Sequence, residues 1–570
     1  MLTVKKELSE KISEKLLATY PAAEISAEMI EGMLEYPPDA KMGDIALPCF
    51  KLSKTLRNAP PKIAMAIADG FESDFVERTE VLGGYFNIYL NSQILAEKVV
   101  GEVLEKGEKY GAPSFGEGKT VVLDYSSPNV AKPFHIGHLG TTVIGHALRR
   151  LHEFAGYKCV GINYLGDWGT QFGKLIVAYR MWGNKELIEN GGIDKLVELY
   201  VKFHEEAEKD ATLNDKARAE FRKLEDGDEK NITLWRWFVD ISLAEYQKTY
   251  KQLGIEFDSY KGESFYTDKM PAQVQKLRDM GLMKIDDGAS IVDLEEYGMP
   301  PCLILKRDGS TLYPTRDIAA AVYRKETYDF DKAIYVTSAG QSLHFAQWFK
   351  VVELMGYDWY DKLVHVPYGT VSINGEKLAT RTGNVILLRD LFALAIDKVS
   401  KIMDEKNPNL VGKDEIAEQI GVGAVVFYYL SNNRIRDINF IMEDALSFDG
   451  NTGPYVQYTY ARACSVLSKS ESYDKSAPLT ITAQEEADLV KVIAKFEENV
   501  IDAIDTYEPS VITRYILDVA GAYNRFYHNC SILGAENEQV KNTRLALTDA
   551  AKTVLGNAFG LICLSKTEKV

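Results

Sequence analysis

The sequence predicts an α/β protein with a doubly wound parallel sheet at its centre, a mixed α and β segment before it and a helical segment after it. Three observations carry this. An apolar run at 120–125 hands over to an amphipathic helix and then to a second apolar run at 159–164, the strand, helix, strand order of a parallel sheet. The alternation resumes over 301–366. Beyond about residue 395 the periodicity is helical to the end, with no strand signal.

The elements follow in order. In residues 1–112, Leu8, Ile12, Leu16 and Leu17 recur at helical spacing, and Tyr85 to Leu90 alternate like a strand after a glycine turn. Gly111, Pro113, Gly116 and Gly118 crowd a stretch that reads as a linker. The central segment spans 113–395. Its first helix carries Leu139, Val143, Ile144, Ala147, Leu148 and Leu151 on one face. Residues from about 174 to 262 are mainly helical and charged, and read as an insertion. The runs at 301–305, 332–336 and 362–366 are strand candidates. Between the first two a helix begins near Pro314, because proline is tolerated at the first helical position. Residues 396–445 read as a helical connection and 446–570 as a helical domain.

Composition narrows the function. At 570 residues the chain has room for about three or four domains of roughly 150 residues each. No stretch approaches the roughly 18 apolar residues of a membrane span, and the first residues show neither a signal region nor a transit peptide. A cytoplasmic protein is expected. The six cysteines (Cys49, Cys159, Cys302, Cys464, Cys530, Cys563) form no CxxC pair, so no thiolate metal site is expected. The net charge of −17 argues against a general nucleic-acid binder, although local patches can still steer a nucleic-acid partner.

The most informative stretch is 126–138. It places His135, Gly137 and His138 where a strand gives way to a helix N-terminus, which is where an α/β sheet binds phosphate. Imidazoles can donate to phosphate oxygens, and Gly137 lets a nucleotide approach the backbone. Gly166 and Asp167 lie just past the second strand, at the same end of the sheet. Tyr313 and Asp317 stand at i and i+4 around a helix start, so their side chains can converge.

Taken together, the stretch 127–138, Gly166 to Gly173, Gly309 to Asp317 and Gln341 to Gln347, in this order, resemble the blocks of class I aminoacyl-tRNA synthetases, and specifically of the arginyl enzymes. The resemblance spans essentially the whole chain. It implies a Rossmann-type catalytic domain with helical insertions, an N-terminal α+β domain that contacts the tRNA elbow, and a C-terminal all-α anticodon-binding domain. It implies ligation of L-arginine to its tRNA through an arginyl-adenylate, with ATP as substrate, Mg2+ accompanying ATP, and a monomeric enzyme.

By this resemblance Asp317 and Tyr313 hold the guanidinium, while Asp124, Asn129, Gln341 and Ser127 hold the α-amino and neighbouring groups. His135, Gly137, His138, Gly166, Asp167 and Lys377 bind ATP. The KMSKS counterpart is at 377–384, where Lys377 is kept, Thr380 replaces the second lysine and Arg381 adjoins it. The resemblance implies that Lys132 supplies the missing ammonium. Gly140 stands where family members commonly carry arginine, and the C-terminus lacks the usual Pro-x-Arg-Met ending. Tyr455, Tyr458, Arg462 and Arg525 are the expected tRNA contacts, although most aromatics there are expected to be bundle core. Lys51, Lys54, Arg57 and Lys62 cluster in the N-terminal segment. A cysteinyl enzyme, a related nucleotidyltransferase and a catalytically silent RNA-binding relative are the alternatives.

Overall fold

The computed structural model describes residues 1–570 except 374, 378–385, 471 and 570, with backbone alone for Ala40, Glu376 and Lys377. The N-terminal helix Leu2–Thr19 turns Val4, Leu8, Ile12 and Leu16 inward at helical spacing and leaves Leu17 outside. It packs beside an antiparallel sheet of β1 (Ile45–Pro48), β2 (Val76–Leu82) and β3 (Tyr85–Leu90), in the order β1-β3-β2. Gly43 has φ +97°, and a Cβ there would press on the Ile88 carbonyl, so glycine is required. Lys51, Lys54, Arg57 and Lys62 are all at least partly exposed, and Lys51 pairs with Glu35.

The central sheet contains β4 (Thr120–Asp124) and β5 (Lys158–Ile162), joined across the helix Leu139–Phe154. All of Leu139, Val143, Ile144, Ala147, Leu148 and Leu151 are buried, which is why this helix lies flat on the sheet. Four helices follow, Thr170–Trp182, Lys185–Lys209, Thr212–Glu225 and Glu229–Leu253, and they bury a cluster of their own around Phe172, Leu196 and Phe238. Next comes a separate antiparallel sheet of β6 (Met283–Asp286), β7 (Ala289–Val292) and β8 (Cys302–Leu305). The chain then returns to the central sheet with β9 (Lys332–Ser338) and β10 (Leu363–Tyr368). The order is β10-β9-β4-β5, all parallel. The winding direction therefore reverses between β4 and β9, which opens a crevice at the carboxyl ends of these two strands.

Two expectations are corrected. The run at 301–305 is a strand, but it belongs to the small antiparallel sheet and not to the parallel one. Its Leu303 is half exposed while Cys302, Ile304 and Leu305 are buried, and a short apolar run does not identify its partner strand. The chain beyond 395 is also not wholly helical. β11 (Val371–Ile373) pairs with β12 (Glu376–Lys377) and, in parallel, with β13 (Ile438–Phe440). A strand this short exists only through its distant partner and has no periodicity to read.

The C-terminal bundle consists of Gly453–Lys469, Gln484–Ile493, Phe496–Asp505, Ser510–Asn529 and Glu538–Leu561. The N-terminal segment docks on it through Lys491–Asp44 (2.7 Å), Lys5–Glu498 (3.2 Å) and Tyr36 Oη, which donates to Glu498 (2.6 Å). One apolar core runs from the N-terminal helix through one face of the central sheet into this bundle. Among the described residues no helix is long and apolar enough to cross a membrane.

Candidate active site

The loop after β4 is wound tightly. Ser126, Ser127 and Ala131 all have positive φ (70°, 48° and 60°), a costly arrangement for residues with a Cβ. The surroundings hold it in place. Ser126 N donates to Thr141 Oγ1, and Ser126 Oγ bonds Thr142 and Tyr250. Tyr246 Oη donates to the carbonyls of Asn129 (2.8 Å) and Lys132 (2.7 Å), and Ala131 N donates to Ser242 Oγ. The helical insertion, through Ser242, Tyr246 and Tyr250, thus fixes the loop that carries the histidines.

His135 caps, and His138 ends, a 3-10 turn at Ile136–His138 that leads into the helix. His135 Nδ1 accepts from Gly137 N (3.1 Å), and His138 Nδ1 accepts from His135 N (3.2 Å). Each neutral ring therefore carries its hydrogen on Nε2, ready to donate. Burial lowers both pKa values, to about 3 for His138, and the Lys132 ammonium lowers both further. At neutral pH both are therefore uncharged donors.

A cavity of about 610 Å³ lies at the β4/β9 crevice. One face of the helix Tyr313–Tyr328 lines it with Tyr313, Asp317, Ala320 and Arg324, spaced as i, i+4, i+7 and i+11. Thr315 Oγ1, which donates to the Ile304 carbonyl (2.6 Å), pins the start of this helix to β8. Asp124, Ser127, Asn129, Gln341, Gly166 and His138 lie on the same walls. The structure thus brings together every residue expected to hold arginine. His135, Gly137, Lys132 and Asp167 lie outside that lining.

The details differ from expectation in three places. Asp317 does not present a free fork, because His344 Nε2 lies 2.6 Å from Asp317 Oδ2 and donates to it. Glu263, unforeseen in the sequence, also lines the cavity, with one oxygen 3.0 Å from Arg316 Nη1. Burial raises its pKa to about 7; Arg316 opposes this, and Asp317 and Asp167 add to it. Asp167 accepts from Ser264 N (2.8 Å) and Ser264 Oγ (2.6 Å) with its two oxygens, so it braces the Glu263 segment from behind. A Cβ at Gly166 would run into Asn129 Oδ1, so glycine lets the 128–130 loop close on the turn after β5. Trp168 packs against Phe221 and Trp235.

Asp124 is buried, and Arg324 Nη2 lies 2.8 Å from its Oδ2. Sequence reading missed Arg324, Glu263 and His344. Only Arg324 left a signal, a charged residue on the helix face that already held Asp317.

Gly140 also has a reason. A side chain there would collide with Tyr429 Oη and crowd Tyr368, so Tyr429 occupies the space an arginine would need. Lys377 lies in β12, paired with Ser372, but its side chain, Thr380 and Arg381 lie outside the described residues. Among the described residues no group of His, Cys, Asp and Glu could hold a metal ion.

In the bundle, the Arg462 guanidinium sits 4.9 Å from the Tyr458 ring centre and 5.0 Å from that of Tyr527. Arg462 donates to Asn524, and Asn524 donates to Tyr455 Oη (2.9 Å). Tyr458 and Tyr527 are exposed and line a cavity of about 840 Å³, whereas Phe526 is core. Arg525 is elsewhere, beside Tyr36 and Lys495.

Comparison with known proteins gives one consistent picture. The family described as tRNA synthetases class I (R), catalytic domain, matches residues 99–442; DALR anticodon binding domain matches 456–570; and Arginyl tRNA synthetase N terminal domain matches 4–90. The chain is 50% identical over 567 residues to the arginine–tRNA ligase of Alkaliphilus metalliredigens, covering 99% of this chain and 100% of the relative. It is 52% identical over 550 residues to that of Clostridioides difficile, covering 96% and 97%. The solved arginyl-tRNA synthetase of Thermus thermophilus shares the fold at TM-score 0.83 with 24% identity, over 99% of this chain and 100% of that one.

Proposed function

The chain belongs to the arginyl-tRNA synthetase family, and from that premise we propose how its residues divide the work. The chain ligates arginine to tRNA in two steps. An arginine carboxylate oxygen attacks the α-phosphorus of ATP and pyrophosphate leaves; the terminal ribose hydroxyl of tRNA then attacks the arginyl carbonyl and AMP leaves. The protein contributes positioning and charge stabilisation and no nucleophile of its own.

L-arginine lies in the cavity between β4 and β9. The observation that carries this reading is the convergence of Asp124, Asp317 and Glu263 on one cavity. Asp317 and Glu263, each with one oxygen already held by His344 or Arg316, give the guanidinium two separate acceptors, and Tyr313 closes over it. Asp124, Ser127, Asn129 and Gln341 surround the α-amino and carboxylate end. The Nε2 donors of His135 and His138, with Gly137 and Gly166 near the backbone path, receive ATP. Asp167 acts by holding the Glu263 segment.

Lys132, with Lys377 and Arg381, offsets charge on the departing pyrophosphate. Support for Lys132 comes from its ammonium lying close enough to depress both histidines. Lys132→Ala should lower the activation step by about 100-fold or more while leaving arginine binding intact; unchanged turnover would refute the role. Magnesium enters on ATP phosphate oxygens and water. The bundle surface at Tyr455, Tyr458 and Arg462 receives unstacked tRNA bases, with Arg525 on a second surface. The enzyme works as a cytoplasmic monomer.

Arginine-dependent exchange of pyrophosphate into ATP, run with and without tRNA, tests the whole reading. Exchange that requires arginine is expected, and no exchange under either condition would overturn it.

A further inference from the structure

A pocket that receives a cation has a buried cation in its floor. Arg324 is 1% exposed and lies on the same helix face as Asp317. Its guanidinium carbon is 5.2 Å from the ring centre of Tyr164 and 5.5 Å from that of Tyr335, and its Nη2 is 2.8 Å from Asp124 Oδ2. The other Asp124 oxygen, Oδ1, accepts from Ser127 Oγ (2.9 Å).

Stability alone does not account for this arrangement. A buried ion pair gains little over well-packed apolar residues, because desolvation offsets its attraction. It also leaves Arg324 Nε and the hydroxyl of Tyr164 without hydrogen-bond partners among the described residues. Such groups cost free energy when buried, which points to a role for the pair beyond stability.

The chemistry of the ligand supplies a reason. Burial, and to a lesser degree the neighbouring Asp317, push the Asp124 carboxyl up toward its protonated form; Arg324 and Ser127 oppose this and limit the rise. A protonated Asp124 would set its own hydrogen against an ammonium group. An ionised one, with Oδ1 hydrogen-bonded by Ser127 and Oδ2 against the Arg324 guanidinium, offers its free lone pairs to such a group.

We propose that Arg324 is a positioning residue that holds Asp124 as an oriented carboxylate for the α-ammonium of bound arginine, through the ion pair flanked by Tyr164 and Tyr335. This rests on the assignment of Asp124 to the α-ammonium. A planar guanidinium suits the slot between two rings, and a compact, strongly hydrated ammonium does not.

The test compares arginine with 5-guanidinopentanoate, the same skeleton without its α-amino group, as a competitive inhibitor of pyrophosphate exchange in the presence of tRNA. In Arg324→Met the KM for arginine should rise about 10- to 100-fold, with the inhibition constant of 5-guanidinopentanoate and the KM for ATP unchanged. Arg324→Lys should recover only part of the loss. An equal loss for both ligands, or no loss for arginine, overturns the proposal.

Asp124→Asn separates it from its premise. If that variant also fails to distinguish the ligands, the assignment of Asp124 falls. If it distinguishes them and Arg324→Met does not, only the inference about Arg324 falls. Should Arg324→Met not fold, Arg324→Met with Asp124→Asn leaves no unpaired charge. Its KM for arginine should equal that of Asp124→Asn alone, and a further additive loss overturns the proposal.

Discussion

The cavity proposed for arginine and the aromatic surface around Arg462 proposed for tRNA differ in how they would recognise their ligands. In the cavity, Asp124, Asp317 and Glu263 are largely withdrawn from water, and each already holds a donor from the protein. On the proposed assignment, recognition there would rest on desolvated charge, which is strong and orientation-dependent. On the bundle, Tyr458 and Tyr527 stand in solvent with Arg462 between their rings. On the proposed assignment, recognition there would rest on stacking, which tolerates variation in the base. Where water is excluded, the placement of charge discriminates; where water remains, surface area does.

Four experiments can break or sharpen this contrast. Asp317→Asn should have the largest effect, lowering kcat/KM for arginine by on the order of 10²- to 10³-fold, because it removes one partner of a desolvated charge contact; a loss under about tenfold would put the cavity on the same footing as the surface. Arg462→Ala should raise the KM for tRNA by about 10- to 100-fold, the scale of one stacked base, with the KM for arginine unchanged.

The third contrast is in pH. Burial holds the Glu263 pKa near 7 in the free protein, so part of the population carries a proton there at neutrality. A bound guanidinium favours the ionised form, so binding expels that proton and affinity rises with pH. Calorimetry should find arginine binding about tenfold tighter at pH 8 than at pH 6, with proton release, while the Arg462 contribution to tRNA binding stays flat. Proton uptake on arginine binding would reverse the sign and refute the role of Glu263. Smallest of all, Tyr527→Phe should change tRNA affinity by less than about 0.5 kcal/mol, since the stacking ring remains; a large loss would mean that the hydroxyl makes a directional contact.

Much of this was legible in the sequence, and the parts that were not share a cause. Leu139 to Leu151 and Leu8 to Leu16 showed which helix faces point inward, because helical periodicity is local. Tyr313 and Asp317 were legible as a pair for the same reason, one helical turn apart. The strand Ile438–Phe440 was not, because three residues carry no period and gain their structure from Val371–Ile373. Membership of Cys302–Leu305 in an antiparallel sheet was hidden because an apolar run does not name its neighbour. Among Tyr455, Tyr458, Phe526 and Tyr527, the sequence led us to expect mostly core; Phe526 is core, but Tyr458 and Tyr527 face solvent, which periodicity alone did not show.

The sequence by itself determined the parallel α/β centre, the histidines at the strand-to-helix passage and the helix face that carries Asp317. These follow from spacing within one element. Only the tertiary structure decided that Asp124 meets Arg324, that Glu263 joins Asp317, that Asp167 serves as a brace, and that Tyr429 fills the place beside Gly140. Each of these joins residues far apart in the chain, and the burial that sets their charge and hydrogen bonding exists only once the elements have packed.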